Sequence, residues 1–254
     1  MKKSEAIRSL ADNMLGHLAT EEILDMLLKD DLPAGSAKKK ENIYSLILLG
    51  TTTVEKLLDR LHDSHNRSER NRIIQVITKI GKTAELPVME RLGQEGPWFY
   101  IRNLVLLVGK IGTGDHLEAL ESMLIHEDYR VQREAVFAIQ SIGGQQVVEI
   151  FLRKLFAVAD ETKIIIISVL GLLKSKRAVP DLIEIIETRN LGKTKKTKNS
   201  ILIKACEALG RIRDDIAEPA LKKIASSKGF LSILSHDSEV RVAAKEALAS
   251  FKKK

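Results

Sequence analysis

The residues with the most chemical promise open one short stretch, HEDYRVQREAVFAIQSIGG, residues 126–144. His126 stands beside Glu127, and imidazole with carboxylate suits iron when several such pairs converge. The other histidines, His17, His62, His65, His116 and His236, are scattered, with no i, i+4 pair on one helix face. Cys206 is the only cysteine, which excludes a disulfide framework and a cysteine-based zinc site. Glu134 is a lone carboxylate on a charged segment, with no partner to tune it as a general base. No phosphate-binding glycine loop and no nucleophile elbow occurs. The sequence therefore predicts no catalytic residue, no metal and no cofactor, and the chain is expected not to be an enzyme.

The elements around that stretch repeat. Gly50, Gly81, Gly112 and Gly143 each follow an apolar run, at steps of 31 residues. Leu46, Ile77, Val108, Ile139 and Leu170 form one apolar column, and Ile73, Leu104, Ala135 and Ile166 another. Within a unit these columns fall on one helical stripe, and the glycine falls where a helix end needs a left-handed residue. Lys174 replaces that glycine in the fifth unit, which should cost local stability. A second helix follows in each unit, with Pro87, Pro180 and Pro219 in its first turn. Proline is otherwise rare and aromatics are only 4% of residues, which favours helix over strand. The prediction is an all-α solenoid of about seven antiparallel helix pairs. Residues 1–34 form a degenerate N-terminal cap pair, 35–190 the regular 31-residue repeats, and 191–254 two C-terminal repeats with a lengthened basic loop.

Asp128, Val131, Arg133, Ala135, Ile139 and Gly143, with Pro180 and Leu182, resemble HEAT repeats, particularly the bacterial HEAT-like units of phycobilisome lyases. Asp237, Val240, Arg241, Ala244 and Leu248 make a weaker copy, and the resemblance spans roughly residues 35–254. It implies a right-handed superhelix whose second helices line a concave face. It implies no particular activity, because such arrays serve many partners. The HEAT-repeat enzyme deoxyhypusine hydroxylase carries R-H-E-A inside the first helix of a unit. Here the matching positions read Arg133-Glu134-Ala135 and Arg102-Asn103-Leu104, without the histidine. His126-Glu127 falls about eight residues early, at a helix end.

A non-catalytic interaction scaffold, offering its surface to a protein or peptide partner, is the resulting expectation. Arg67, Trp98 and Tyr129 share one repeat column, and with Tyr100 and Arg130 they are the partner-binding candidates. Arg102 and Arg133 are expected to bridge to acids at neighbouring turns, such as Asp128. The alternative is binding of nucleic acid or another polyanion. The net charge of +7 is concentrated in residues 192–254, with 15 Lys and Arg against 7 Asp and Glu. Lys38, Lys39, Lys40, Lys193, Lys195, Lys196 and Lys198 are the candidates, read as belonging to connections between helix pairs. The longest apolar run, IIIISVLGLL at 164–173, is too short to span a bilayer, and a cytoplasmic location is expected.

Overall fold

The computed structural model describes residues 20–28, 36–48, 51–188, 194–227 and 237–251. Every regular element among them is helical. Gly50, Lys193, Lys252 to Lys254 and most of the expected cap pair lie outside the described residues, as do the side chains of Lys39 and Lys40. Contacts divide the chain into two compact units, residues 1–117 and 118–254.

The first unit contains α1 (Glu21–Leu28), α2 (Ala37–Leu48), α3 (Thr51–Asp63), α4 (Arg67–Ile80), α5 (Glu85–Leu92) and α6 (Trp98–Ile111). The Asn66 side chain accepts from the backbone N–H groups of Ser68 and Glu69 and so starts α4. Its apolar face buries Ile73, Ile74, Val76 and Ile77. Gly81 ends α4 at a φ of 69°, the left-handed conformation that glycine adopts without strain. The chain then makes a 3-10 turn, Gly81–Ala84, into α5. Gly112 ends α6 differently, in extended backbone at a φ of −77°. A Cβ there would stand 2.6 Å from the Val108 carbonyl oxygen, so this position needs glycine for space.

The second unit contains α7 (Leu117–Met123) apart from its first residue, α8 (Tyr129–Ile142), α9 (Val147–Lys154), α10 (Asp160–Leu172), α11 (Val179–Glu187), α12 (Lys195–Ile212), α13 (Glu218–Ala225) and α14 (Ser238–Phe251). Pro180 and Pro219 sit at the second residue of α11 and α13, where the missing N–H is harmless. The helices α10, α12 and α14 pack side by side through small residues. Gly171 meets Ala208, and 39 residues on Gly210 meets Ala247; a Cβ on either glycine would lie 2.8 Å from the alanine Cα. Bare backbone lets the helix axes come closer than leucine would permit.

The column predicted from the glycine period is buried throughout: Leu46, Ile77, Val108, Ile139 and Leu170. Lys174 has a φ of 49°, as expected of a residue in a glycine's place. Lys174→Gly should stabilise the protein by about 0.5–1 kcal/mol, because left-handed strain in a side-chain-bearing residue exceeds the extra chain entropy of glycine. A urea midpoint unchanged or lowered by the substitution would contradict this. No helix among the described residues is long and apolar enough to cross a membrane.

Candidate functional site

The stretch that opened the sequence reading builds a joint between helices. His126 Nδ1 accepts the Asp128 N–H at 2.9 Å. Asp128 accepts the Arg130 N–H at 2.9 Å and pairs with its guanidinium at 2.6 Å, which starts α8 and holds the Asp128 carboxyl below its ordinary range. Gln132 Nε2 donates to the His126 carbonyl at 2.7 Å, and Gln132 Oε1 accepts the Ala159 N–H at 3.0 Å. One buried amide thus ties the connections before α8 and α10 together. Among the described residues no three His, Cys, Asp or Glu side chains are placed to hold a metal.

Other reactive types are similarly engaged. His116 Nδ1 accepts the Thr113 N–H at 3.0 Å while Nε2 faces Glu85 at 3.1 Å, so both ring nitrogens have partners. Burial pushes the Cys206 thiol up to about 12, which keeps it protonated and unreactive at neutral pH. Glu134 is half-buried on α8. Asp181 escaped notice in the sequence. Burial, and then Glu184, pushes its carboxyl upward. The signal was there: Ile150, 31 residues earlier, and Ala220, 39 later, are both buried apolar neighbours in its column.

The expected bridge from Arg133 to Asp128 is not made. Asp128 is taken by Arg130, Arg133 lies over the Phe137 ring at 5.6 Å, and Arg102 donates to Asn103 Oδ1 at 3.2 Å. Ion pairs also join the second helices of successive units of the sequence. Arg91 on α5 meets Glu55 at 2.9 Å and Asp59 at 2.7 Å on α3. Arg153 on α9 meets Glu121 on α7 at 2.6 Å, Arg177 pairs with Glu149, and Lys223 on α13 meets Glu187 on α11 at 3.2 Å. The Arg153 hydrogen bond holds the Glu121 carboxyl below its ordinary range. A depressed folded-state value adds stability above the unfolded value, near about 4.3, and loses it as pH falls through the folded value. Glu121→Gln should therefore lower stability at neutral pH and converge with the parent in acid. Denaturation curves at a series of pH values check this; a gap that widens toward acid would refute it.

The partner-binding candidates divide. Trp98 is 37% and Tyr129 47% exposed, and Arg67 and Arg130 are also exposed. Arg67 and Trp98 belong to the first unit, Tyr129 and Arg130 to the second. Tyr100 is corrected: at 3% exposure its ring is core, edge-on to His62 at 4.9 Å. Burial raises the Tyr100 hydroxyl above its ordinary value, with Arg91 the nearby cation. Helical rotation alone carries Tyr100 inward, since residues two apart face nearly opposite sides.

The lysines expected in connections open helices. Lys38 is exposed in the first turn of α2. Thr194 caps α12 by accepting the Thr197 N–H at 3.1 Å, which places Lys195, Lys196 and Lys198 in the first turns of an 18-residue helix. Lys195 meets Asp237 at 3.0 Å, and hydrogen bonds from Asn199 and Lys195 hold that carboxyl low.

No protein family matches the sequence, and no curated protein does. Among solved structures, human deoxyhypusine hydroxylase in complex with glycerol aligns over 97% of this chain and 99% of its own, at 14% identity and a TM-score of 0.44. An engineered protein aligns over 92% of this chain and 98% of its own, at 19% identity and a TM-score of 0.36. These values assign no activity to the chain. They do correct the expectation of a non-catalytic scaffold and of no enzyme. The first of these neighbours is itself an enzyme. A helical fold without a familiar catalytic pattern does not exclude catalysis.

Proposed function

We propose that the chain binds the phosphate backbone of nucleic acid through the lysine-rich start of α12 in the second unit and, as a separate contact, that of α2 in the first. Stacking of helix pairs in the second unit, as in a HEAT-type solenoid, is part of the proposal and is supported by the recurrence of Gly171–Ala208 as Gly210–Ala247. One observation carries the binding reading. The first turn of α4, α5, α9, α10, α11, α13 and α14 contains an acid, which suits the positive end of the helix dipole. The first turns of α2 and α12 contain lysines and no acid. Cations at the positive end of a helix repel it and one another, and a phosphate chain relieves both. Asp237, beside Lys195, offsets part of this charge at α12.

Binding to a labelled duplex, titrated with salt, tests the proposal. Affinity should fall by roughly 0.9 log units per log unit of salt for each neutralised phosphate. Changing Lys193, Lys195, Lys196 and Lys198 together to alanine should reduce that slope by up to about 3.6. Binding with no salt dependence, or a slope unmoved by the four substitutions, would end this reading.

A further inference from the structure

Two connections of the second unit depart from the glycine rule in the same way. Lys174 follows α10 at a φ of 49° and Arg213 follows α12 at 57°, the left-handed region that Gly81 and Gly143 occupy at their helix ends. The two positions are one repeat step of 39 residues apart, and both side chains are exposed. Successive repeats thus tolerate backbone strain at a place where each presents a cation.

Apolar side chains stand beside these cations. Leu170 and Gly171 face inward on the last turn of α10, the glycine against Ala208, so Leu172 turns outward at 62% exposure and Leu173 is also exposed. In the next connection Ile216 lies in the 3-10 turn Asp215–Ala217 and is 70% exposed. Lys176 Nζ meets Asp214 at 3.6 Å, which joins the two connections into one edge. Asp214 also accepts the Ile216 N–H at 3.2 Å. Over residues 172–177 and 211–216 there are five Lys and Arg against two acids, Asp214 and Asp215.

Exposed leucine and isoleucine among cations match a nucleic-acid backbone poorly, because that backbone offers charge without an apolar layer. A bilayer with anionic headgroups offers both, at successive depths. We propose that this edge of the second unit docks on an anionic membrane surface. Lys174 and Arg213 meet the headgroups, while Leu172, Leu173 and Ile216 reach the acyl boundary. This contact is independent of the phosphate-backbone reading. The lysines of that reading open α12 and Arg213 follows its end, so 18 residues separate them by about 27 Å, roughly three Debye lengths at physiological salt.

Co-sedimentation of the full chain with phosphatidylcholine vesicles, with and without phosphatidylserine, tests the proposal. Binding should require phosphatidylserine and weaken with salt. Lys174→Gly combined with Arg213→Gly should lower vesicle affinity by about 25-fold, at about fivefold per basic residue, with a urea midpoint no lower than the parent's. Leu172→Ser combined with Ile216→Ser should lower it by about tenfold or more at unchanged net charge. Neither pair should change affinity for a nucleic-acid duplex. Failure to bind the phosphatidylserine vesicles, or full binding by the Leu172→Ser, Ile216→Ser variant, would overturn the proposal. So would a loss of duplex binding equal to the loss of vesicle binding, since the edge would then be a general polyanion contact. The four-lysine variant described above should keep its vesicle affinity, which separates failure here from failure of the nucleic-acid reading.

Discussion

Gly171→Leu should destabilise the protein by about 3 kcal/mol, the upper range for forcing a side chain into packed backbone. The obstacle is rigid: Cα and Cβ of Ala208 would both lie 2.8 Å from the new Cβ. No rotamer change on α12 relieves a clash with its own backbone, so α10 and α12 must separate. Separation also loosens the contact that recurs at Gly210 and Ala247, because both use α12. Gly114→Ala is the matched control. A Cβ there meets nothing within 4 Å, and the substitution should shift stability by no more than about 0.5 kcal/mol. Urea unfolding at constant slope separates the two outcomes. A leucine variant as stable as its parent would mean that α10 does not pack on α12 in this way.

Phe151→Ala should cost about 3–5 kcal/mol, since the ring is fully buried and its removal leaves a cavity. Phe156, five residues on, is 46% exposed, and Phe156→Ala should change stability by no more than about 0.5 kcal/mol. The pair isolates burial from residue type, for both lose the same atoms. Similar losses from the two variants would show that Phe156 is covered in solution, or that α9 is turned on its axis.

The helices were legible because their rules are local. A glycine every 31 residues, an apolar residue at each turn and a proline in the first turn act within a few residues of themselves. Even the strained Lys174 could be foreseen, because its conformation belongs to its place at a helix end. The functional residues were less legible. Trp98 and Tyr100 differ by two positions, yet one meets solvent and the other joins the core. Neighbouring lysines suggested a lengthened basic loop, but a threonine cap starts α12 at Lys195. Local preference for a loop was weak there, and the long apolar stripe of the following helix could extend it backward.

By itself the sequence determined that the described residues are helical, where the buried columns fall, and that the helix ends at Gly81 and Gly143 are left-handed. The tertiary structure decided which charges meet. Arg91 answers Glu55 and Arg153 answers Glu121 across 36 and 32 residues, while the Arg133 expected on Asp128 rests on Phe137 instead. The physical reason is range: a helix is held by bonds four residues apart, whereas an ion pair depends on how one helix is rotated against the next.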